Sequence, residues 1–437
     1  MTEKNIENRF LEYIKSGEKE PDNLRLGLEL EHFIVYEKDL STVSFYGSDG
    51  VESSLEEFSK DAKNVKRENG HIIGVDKDGY YITLEPGAQL EISVEKKDSI
   101  IEIEQIYINF LNEFLPILKK KKQTLINLGY QPVTKINEIK LIPKERYSIM
   151  YEHFYSKGKY AHNMMKGTAA TQVSIDYTDE KDYAKKIRVI NALSPVLYAM
   201  FENAYIFEGK PTENHCTRAL IWKNCDDDRT GIVPGSLKDN FKYTDYVNYI
   251  LNRPPIFTIR DGKIIRTFEK KVIEVVDENN LTQEEIMHLM SMFFPDVRTK
   301  TYIELRMMDS VPFEFALGAV ALIKGLFYNK KNLDFLYEKV KEIDEKEVNL
   351  GKEEIIKNGL FSLYGNHKMI DIAKHLLNLA HDGLDDDEKN YLVPLNNLCY
   401  NEINLYERTK MLYENNDILN ALDWAKVKGE VVWKLKI

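Results

Sequence analysis

The sequence predicts an α+β fold: an antiparallel or mixed sheet covered by helices, with a helical final third. Apolar residues recur with period two in four separate segments and with helical spacing in others. Strands and helices follow one another without regular βαβ alternation, which disfavours a doubly wound parallel sheet.

From Leu24 to Tyr36 the pattern alternates, with Leu24, Leu26, Leu28 and Leu30 on one parity and Arg25, Gly27, Glu29 and Glu31 on the other. That is the pattern of a half-buried strand. Tyr81 to Val94 reads as two short strands around the Pro86-Gly87 turn, with Ile82, Leu84, Leu90 and Ile92 facing the core. Between Ile101 and Leu128 the spacing of Ile103, Ile106, Phe110, Phe114 and Leu118 predicts a helix, kinked at Pro116. A strand over Thr171 to Tyr177 and a helix from about Tyr183 to Phe207 come next. Thr282 and Glu285 form a capping-box pattern that opens a helix. A last strand spans Tyr302 to Arg306. After Pro312 the chain reads as helices, broken by a Gly/Asp-rich stretch at Asp382 to Asp387. The expected division is 1–330 as a catalytic domain and 331–437 as a helical region packed on it.

Composition narrows the function. The chain has 437 residues and a net charge of −11, so it lacks the cationic surface that nucleic-acid binding requires. Lys119 to Lys122 form one basic run, read as a solvated helix face. No apolar run is long enough for a membrane span; the longest, around Phe315 to Leu326, is broken by Lys324 and reads as a buried helix. Met1 to Pro21 is polar, without the apolar core of a signal peptide, and Cys216, Cys225 and Cys399 show no CxxC pairing. A cytoplasmic protein with reduced thiols, monomeric or homodimeric, is expected.

The polar faces of the strands carry the functional signal. Glu29 and Glu31, Glu85 and Glu91, Gln172, and Glu304 with Arg306 occupy the parity opposite the aliphatics. An ordinary wet sheet face is also rich in Lys and Thr, whereas this set is dominated by Glu. Two unit charges about 4 Å apart repel by about 4 kcal/mol at an effective dielectric near 20, so converging carboxylates need cations. Carboxylate and amide oxygens without thiolates suit Mg²⁺, or Mn²⁺, rather than zinc. No GxxxxGK[ST], GxGxxG, HExxH or GxSxG pattern occurs. A bound nucleotide would therefore be held by metals and by side chains such as Arg306. Arg218 to Trp222, followed by Asp226-Asp227-Asp228-Arg229-Thr230-Gly231, could supply arginines that clamp a substrate carboxylate.

Four segments together resemble the glutamate–cysteine ligases of the plant and proteobacterial type. They are Leu84-Glu85-Pro86-Gly87-Ala88-Gln89-Leu90-Glu91-Ile92-Ser93, Pro143 to Met150, Arg218-x-x-Ile221-Trp222 with Asp228-Arg229-Thr230-Gly231, and Phe294-Pro295-Asp296-Val297-Arg298 leading to Glu304-Leu305-Arg306. The resemblance runs from about Leu24 to Leu326 and implies a glutamine synthetase-like fold, whose curved antiparallel sheet forms a funnel-shaped active site. It implies magnesium ligands at Glu29, Glu31, Glu85, Glu91, Gln172 and Glu304, with Glu304 and Arg306 catalytic and Arg306 on phosphate. It places Arg218, Arg229, Trp222 and Arg146 toward substrate. The implied reaction joins the γ-carboxylate of L-glutamate to the amine of L-cysteine at the expense of ATP, through γ-glutamyl phosphate, the first step of glutathione biosynthesis. A different amine acceptor, or a metal-dependent phosphotransferase or nucleotide-binding protein on the same fold, is the alternative. The family's Gly-Ala-Asp-Gly-Gly-Pro is here Met307-Met308-Asp309-Ser310-Val311-Pro312, and Leu220 stands where a histidine is common.

Overall fold

A computed structural model describes residues 2–428; residues 1 and 429–437, the end of the expected helical region, lie outside the described residues. Nine strands form one open sheet: β1 (Leu26–Tyr36), β2 (Asn64–Glu68), β3 (His71–Lys77), β4 (Tyr80–Leu84), β5 (Leu90–Lys97), β6 (Gln123–Ile126), β7 (Thr171–Ile175), β8 (Val297–Thr299) and β9 (Ile303–Leu305). Their order is β8-β9-β7-β1-β5-β4-β3-β2, with β6 paired to the far half of β1. Every neighbouring pair is antiparallel.

β1 is the organising strand. Its first half alternates, with Leu26, Leu28 and Leu30 buried and Gly27 and Glu29 partly exposed. Its second half, Phe33 to Val35, is buried throughout because a small second core containing Leu40, Ile126 and Leu128 packs on it. The helix Ile100–Lys120 packs on β5 and β6, and the helix Phe313–Phe327 packs on β1 and β7. Thirteen of the fifteen residues of Phe313–Phe327 are buried, in keeping with its all-round apolar character. One hydrophobic cluster then runs without interruption from Ile6 to Leu405.

Two expected helices end early. The first stops at Lys120, and Lys122, at φ 55°, turns the chain so that Gln123–Ile126 becomes β6. Leu125 and Ile126 satisfy a helical period as well as a strand period, and pairing with β1 decides between them. The second spans Glu180–Met200, and Ile206–Phe207 forms a short hairpin with Lys210–Pro211. Thr282 caps the helix Gln283–Ser291 by accepting from the Glu285 amide. The Glu285 carboxylate does not close the box, because it accepts instead from Thr258 Oγ1 and Arg260.

The C-terminal helices Lys330–Lys339, Glu345–Asn358 and Met369–Asp382 all lie against Glu180–Met200. A small hairpin, Leu363–Tyr364 with His367–Lys368, interrupts the expected all-helical stretch. Close helix approach explains two glycines there: a Cβ on Gly325 would lie 2.3 Å from Ala380 O, and one on Gly383 2.2 Å from Gly325 O. The three cysteines are buried and unbonded to one another. Among the described residues no helix is long and apolar enough to cross a membrane.

Candidate active site

The sheet register converts separate sequence patterns into one polar surface. Glu31 lies opposite Glu91, which lies opposite Thr83. Glu29 lies opposite Gln172 on one side and Ser93 on the other. Glu304 lies opposite Arg298 and Ser174. Between β4 and β5, the Glu85–Gln89 turn needs Ala88 at φ 67°, and Gln89 folds inward to accept from the Gly87 amide at 2.8 Å. That turn sets Glu85 at the head of the row.

Glu29, Glu31, Thr83, Glu85, Gln89, Glu91 and Gln172 line a cavity of about 340 Å³ over the polar face of the sheet, together with Lys144, Arg146, Tyr147, Arg218, Trp222, Arg298, Lys300 and Arg306. It adjoins a larger one, about 950 Å³, through Arg146, Ser291 and Lys300, and a third, about 320 Å³, through Glu29. The connected space is of ligand-binding size.

Charge is divided across the cavity. On the acidic side, burial and mutual repulsion push up the carboxyl groups of Glu29 and Glu91, and push Glu31 up to about 8. Glu31 is fixed by accepting from the Ala170 amide at 2.8 Å and Gln172 Nε2 at 3.1 Å, and Glu91 by accepting from Thr83 Oγ1 at 2.7 Å. On the cationic side, burial would raise Glu304, but Arg298, Lys300 and Arg306 together hold it well below the usual carboxylate range. Glu304 accepts from Arg298 Nε at 2.6 Å, Arg306 Nη1 at 2.9 Å and Lys300 Nζ at 3.0 Å. Gln172 Oε1 also accepts from Arg306 Nη1. Burial lowers the Lys144 ammonium to about 8; it donates to Leu84 O at 2.8 Å, at the base of the Glu85 turn.

Most of the residues expected from the sequence are brought together, and two take other parts. Arg229 does not face the cavity. It is fully buried, donating to Asp226 Oδ2 at 2.7 Å and to Pro254 O, and Asp226 is also bonded to His153 at 3.0 Å. Its acidic neighbour in sequence captured it, so it braces the loop whose backbone accepts from Phe294 N. Glu304 does line up with the acids in register, but it is fully buried behind the cavity lining and accepts from three cations, so it is placed to anchor Arg298 and Arg306. His32 is likewise structural, bonded to Tyr107 Oη at 2.7 Å. Conversely, Lys300 was missed, although its position four residues before Glu304 was a usable signal. Arg298, to which the sequence pattern assigns no role, lines the cavity and donates to Glu304.

Arg218, on the helix Thr217–Lys223, donates to Met308 O at 2.9 Å and Met307 O at 3.2 Å and lies 3.5 Å from Asp309. Its Nε, Arg146 Nε and Trp222 Nε1 are buried donors without a protein acceptor among the described residues. Unsatisfied donors around a cavity suit a carboxylate ligand. Among the described residues, no group of three or more His, Cys, Asp or Glu side chains is gathered closely enough to hold a metal ion by itself. The row of Glu29, Glu31, Glu85 and Glu91 offers carboxylate oxygens, the donor type that a hard divalent cation takes.

In this chain an open antiparallel sheet brings acids and arginines onto one cavity. Its fold is that of the glutamate–cysteine ligase of Francisella tularensis solved in complex with AMP, matched at a TM-score of 0.57 over 92% of this chain and 87% of that one, at 12% identity. The model of glutamate–cysteine ligase family 2 matches residues 25–415, and the chain belongs to that family. Chloroplastic glutamate–cysteine ligase B of Oryza sativa subsp. japonica is 27% identical over 424 residues, covering 95% of this chain and 85% of the relative. The chloroplastic enzyme of Arabidopsis thaliana is 27% identical over 384 residues, covering 86% and 73%.

Proposed function

We propose that this chain joins the γ-carboxylate of L-glutamate to the amino group of L-cysteine, with ATP converted to ADP and phosphate. The observation that carries the reading is the division of one cavity into an acidic wall and an arginine–lysine wall. A γ-carboxylate oxygen attacks the γ-phosphorus, the bond to the β–γ bridging oxygen breaks, and ADP leaves. The cysteine amine then attacks the acyl carbon of γ-glutamyl phosphate, phosphate departs, and the amine loses a proton.

In this reading Glu29, Glu31, Glu85 and Glu91 hold Mg²⁺, which when bound neutralises phosphate charge. Arg306, tethered through Nη1 to Glu304 and Gln172, directs Nη2 at the transferring phosphoryl group. Nη2 has no hydrogen-bond partner among the described residues, so it is available for that contact. Arg218, Arg146 and Trp222 supply the donors for the substrate α-carboxylate. Holding both substrates on a fixed sheet supplies much of the remaining acceleration. The plant relatives are named chloroplastic.

Incubating the chain with ATP, Mg²⁺, L-glutamate and each amino acid in turn, and weighing the products, tests donor and acceptor together. γ-Glutamylcysteine formed only with cysteine supports the reading. A product with another amine redirects the acceptor, and ATP turnover indifferent to glutamate overturns the ligase.

A further inference from the structure

Behind the sheet, on the side of the covering helices, lies a second cavity of about 560 Å³ that shares no residue with the catalytic one. Ile100–Lys120 contributes Glu104, Phe313–Phe327 contributes Glu314 and Phe315, the segment 387–398 forms the long wall, and Arg408 closes it from the helix Leu405–Tyr413. Phe315, Val393, Pro394 and Leu398 make much of the surface apolar.

Two charges in this cavity are unlike the rest. Glu104 is bonded to Tyr391 Oη at 2.5 Å, as an ordinary wall residue would be. Glu314 and Arg408 make no ion pair with each other within 4.0 Å; the Glu314 carboxylate accepts only from its own backbone amide, and the Arg408 side chain has no hydrogen-bond partner among the described residues. Arg408 lies over the Trp424 ring, 4.6 Å from its centroid, which holds the guanidinium in place. Burial disfavours both charges, raising the Glu314 carboxyl and lowering the Arg408 guanidinium, and each is the other's stabilising charge. A carboxylate and a guanidinium on one apolar cavity, not directly paired with each other, form a binding site for opposite charges carried on one molecule.

We propose that this cavity binds a zwitterion with an apolar body, from a single α-amino acid to a dipeptide, its ammonium on Glu314 and its carboxylate on Arg408. The site is separate from the catalytic reading and does not depend on it.

Isothermal titration of the full chain with L-leucine, L-methionine and L-leucyl-L-leucine, without ATP, tests this. At least one probe binds in the millimolar range. N-acetyl-L-leucine, which lacks the ammonium, and L-leucinamide, which lacks the carboxylate, each bind about tenfold more weakly or worse than L-leucine if leucine is the ligand. Glu314→Gln and Arg408→Gln abolish binding, with an unchanged circular dichroism spectrum and cooperative unfolding marking folded variants. Val393→Trp fills the cavity and blocks binding should the charge variants fail to fold. Trp222→Ala, in the catalytic cavity, leaves binding intact. Absence of binding by all three zwitterions, binding of either half-charged analogue as tightly as L-leucine, or binding that survives Val393→Trp overturns the proposal.

Discussion

Lys352→Met provides a sharp test of how the C-terminal helices reach the active site. Lys352, on the helix Glu345–Asn358, donates to the Asp296 carboxylate, which also accepts from Tyr198 Oη at 2.9 Å. The backbone carbonyl of Asp296 accepts from Arg306 N at 3.0 Å, and its amide donates to Gly231 O at 2.9 Å. One buried acid thus ties a distant helix to the strand that carries Arg306. Breaking a buried pair by removing one partner costs about 3–5 kcal/mol, and because the Lys352 side chain is 13% exposed the loss falls near the lower figure. The variant should unfold at lower urea and release ADP more slowly, since a small displacement of Arg306 weakens its phosphoryl contact. In Asp296→Asn/Lys352→Met the charge left unpaired is gone, so stability recovers part of the loss. An unchanged unfolding midpoint together with wild-type ADP release in Lys352→Met would refute the reasoning.

Arg306→Ala should lower ADP release by two to three orders of magnitude, the loss of about 3–4 kcal/mol seen when a preorganised charge contact is removed; near-normal release would assign the phosphoryl contact elsewhere. Glu304→Gln removes the anion shared by Arg298, Lys300 and Arg306, so both stability and turnover should fall even at saturating Mg²⁺. Saturating Mg²⁺ should raise the melting free energy, by about 2.7 kcal/mol at a hundred times the dissociation constant, and Glu29→Gln or Glu91→Gln should shrink that rise. Burial lowers His288 to about 4, so the native ring stays neutral while the unfolded chain takes up a proton below about 6.5. Stability should therefore fall as pH drops through the window from about 6.5 to about 4, with a slope approaching about 1.4 kcal/mol per pH unit from this group; denaturation midpoints of wild type and His288→Gln that run parallel across that window would contradict it.

The strands and the acids on them were legible because a strand's period of two is a local property: Leu26, Leu28 and Leu30 against Glu29 and Glu31 can be read without knowing any neighbour. The motifs around Glu85, Arg218 and Glu304 pointed to the family for the same reason, being runs of adjacent residues. What lay beyond the sequence was pairing. That Glu31 faces Glu91 follows from register, set by contacts between segments tens of residues apart, and that Arg298 faces Glu304 follows from the register of a tight hairpin. Tertiary placement alone separated Arg218, whose helix turns it onto the 307–308 carbonyls at the cavity wall, from Arg229, sealed by Asp226 only three residues away. It also chose strand over helix for Gln123–Ile126, because the open edge of β1 offered backbone hydrogen bonds and burial that a longer helix could not. The sequence determined which residue types line the polar face; the fold decided which of them meet, since only packing fixes the distances over which charges act.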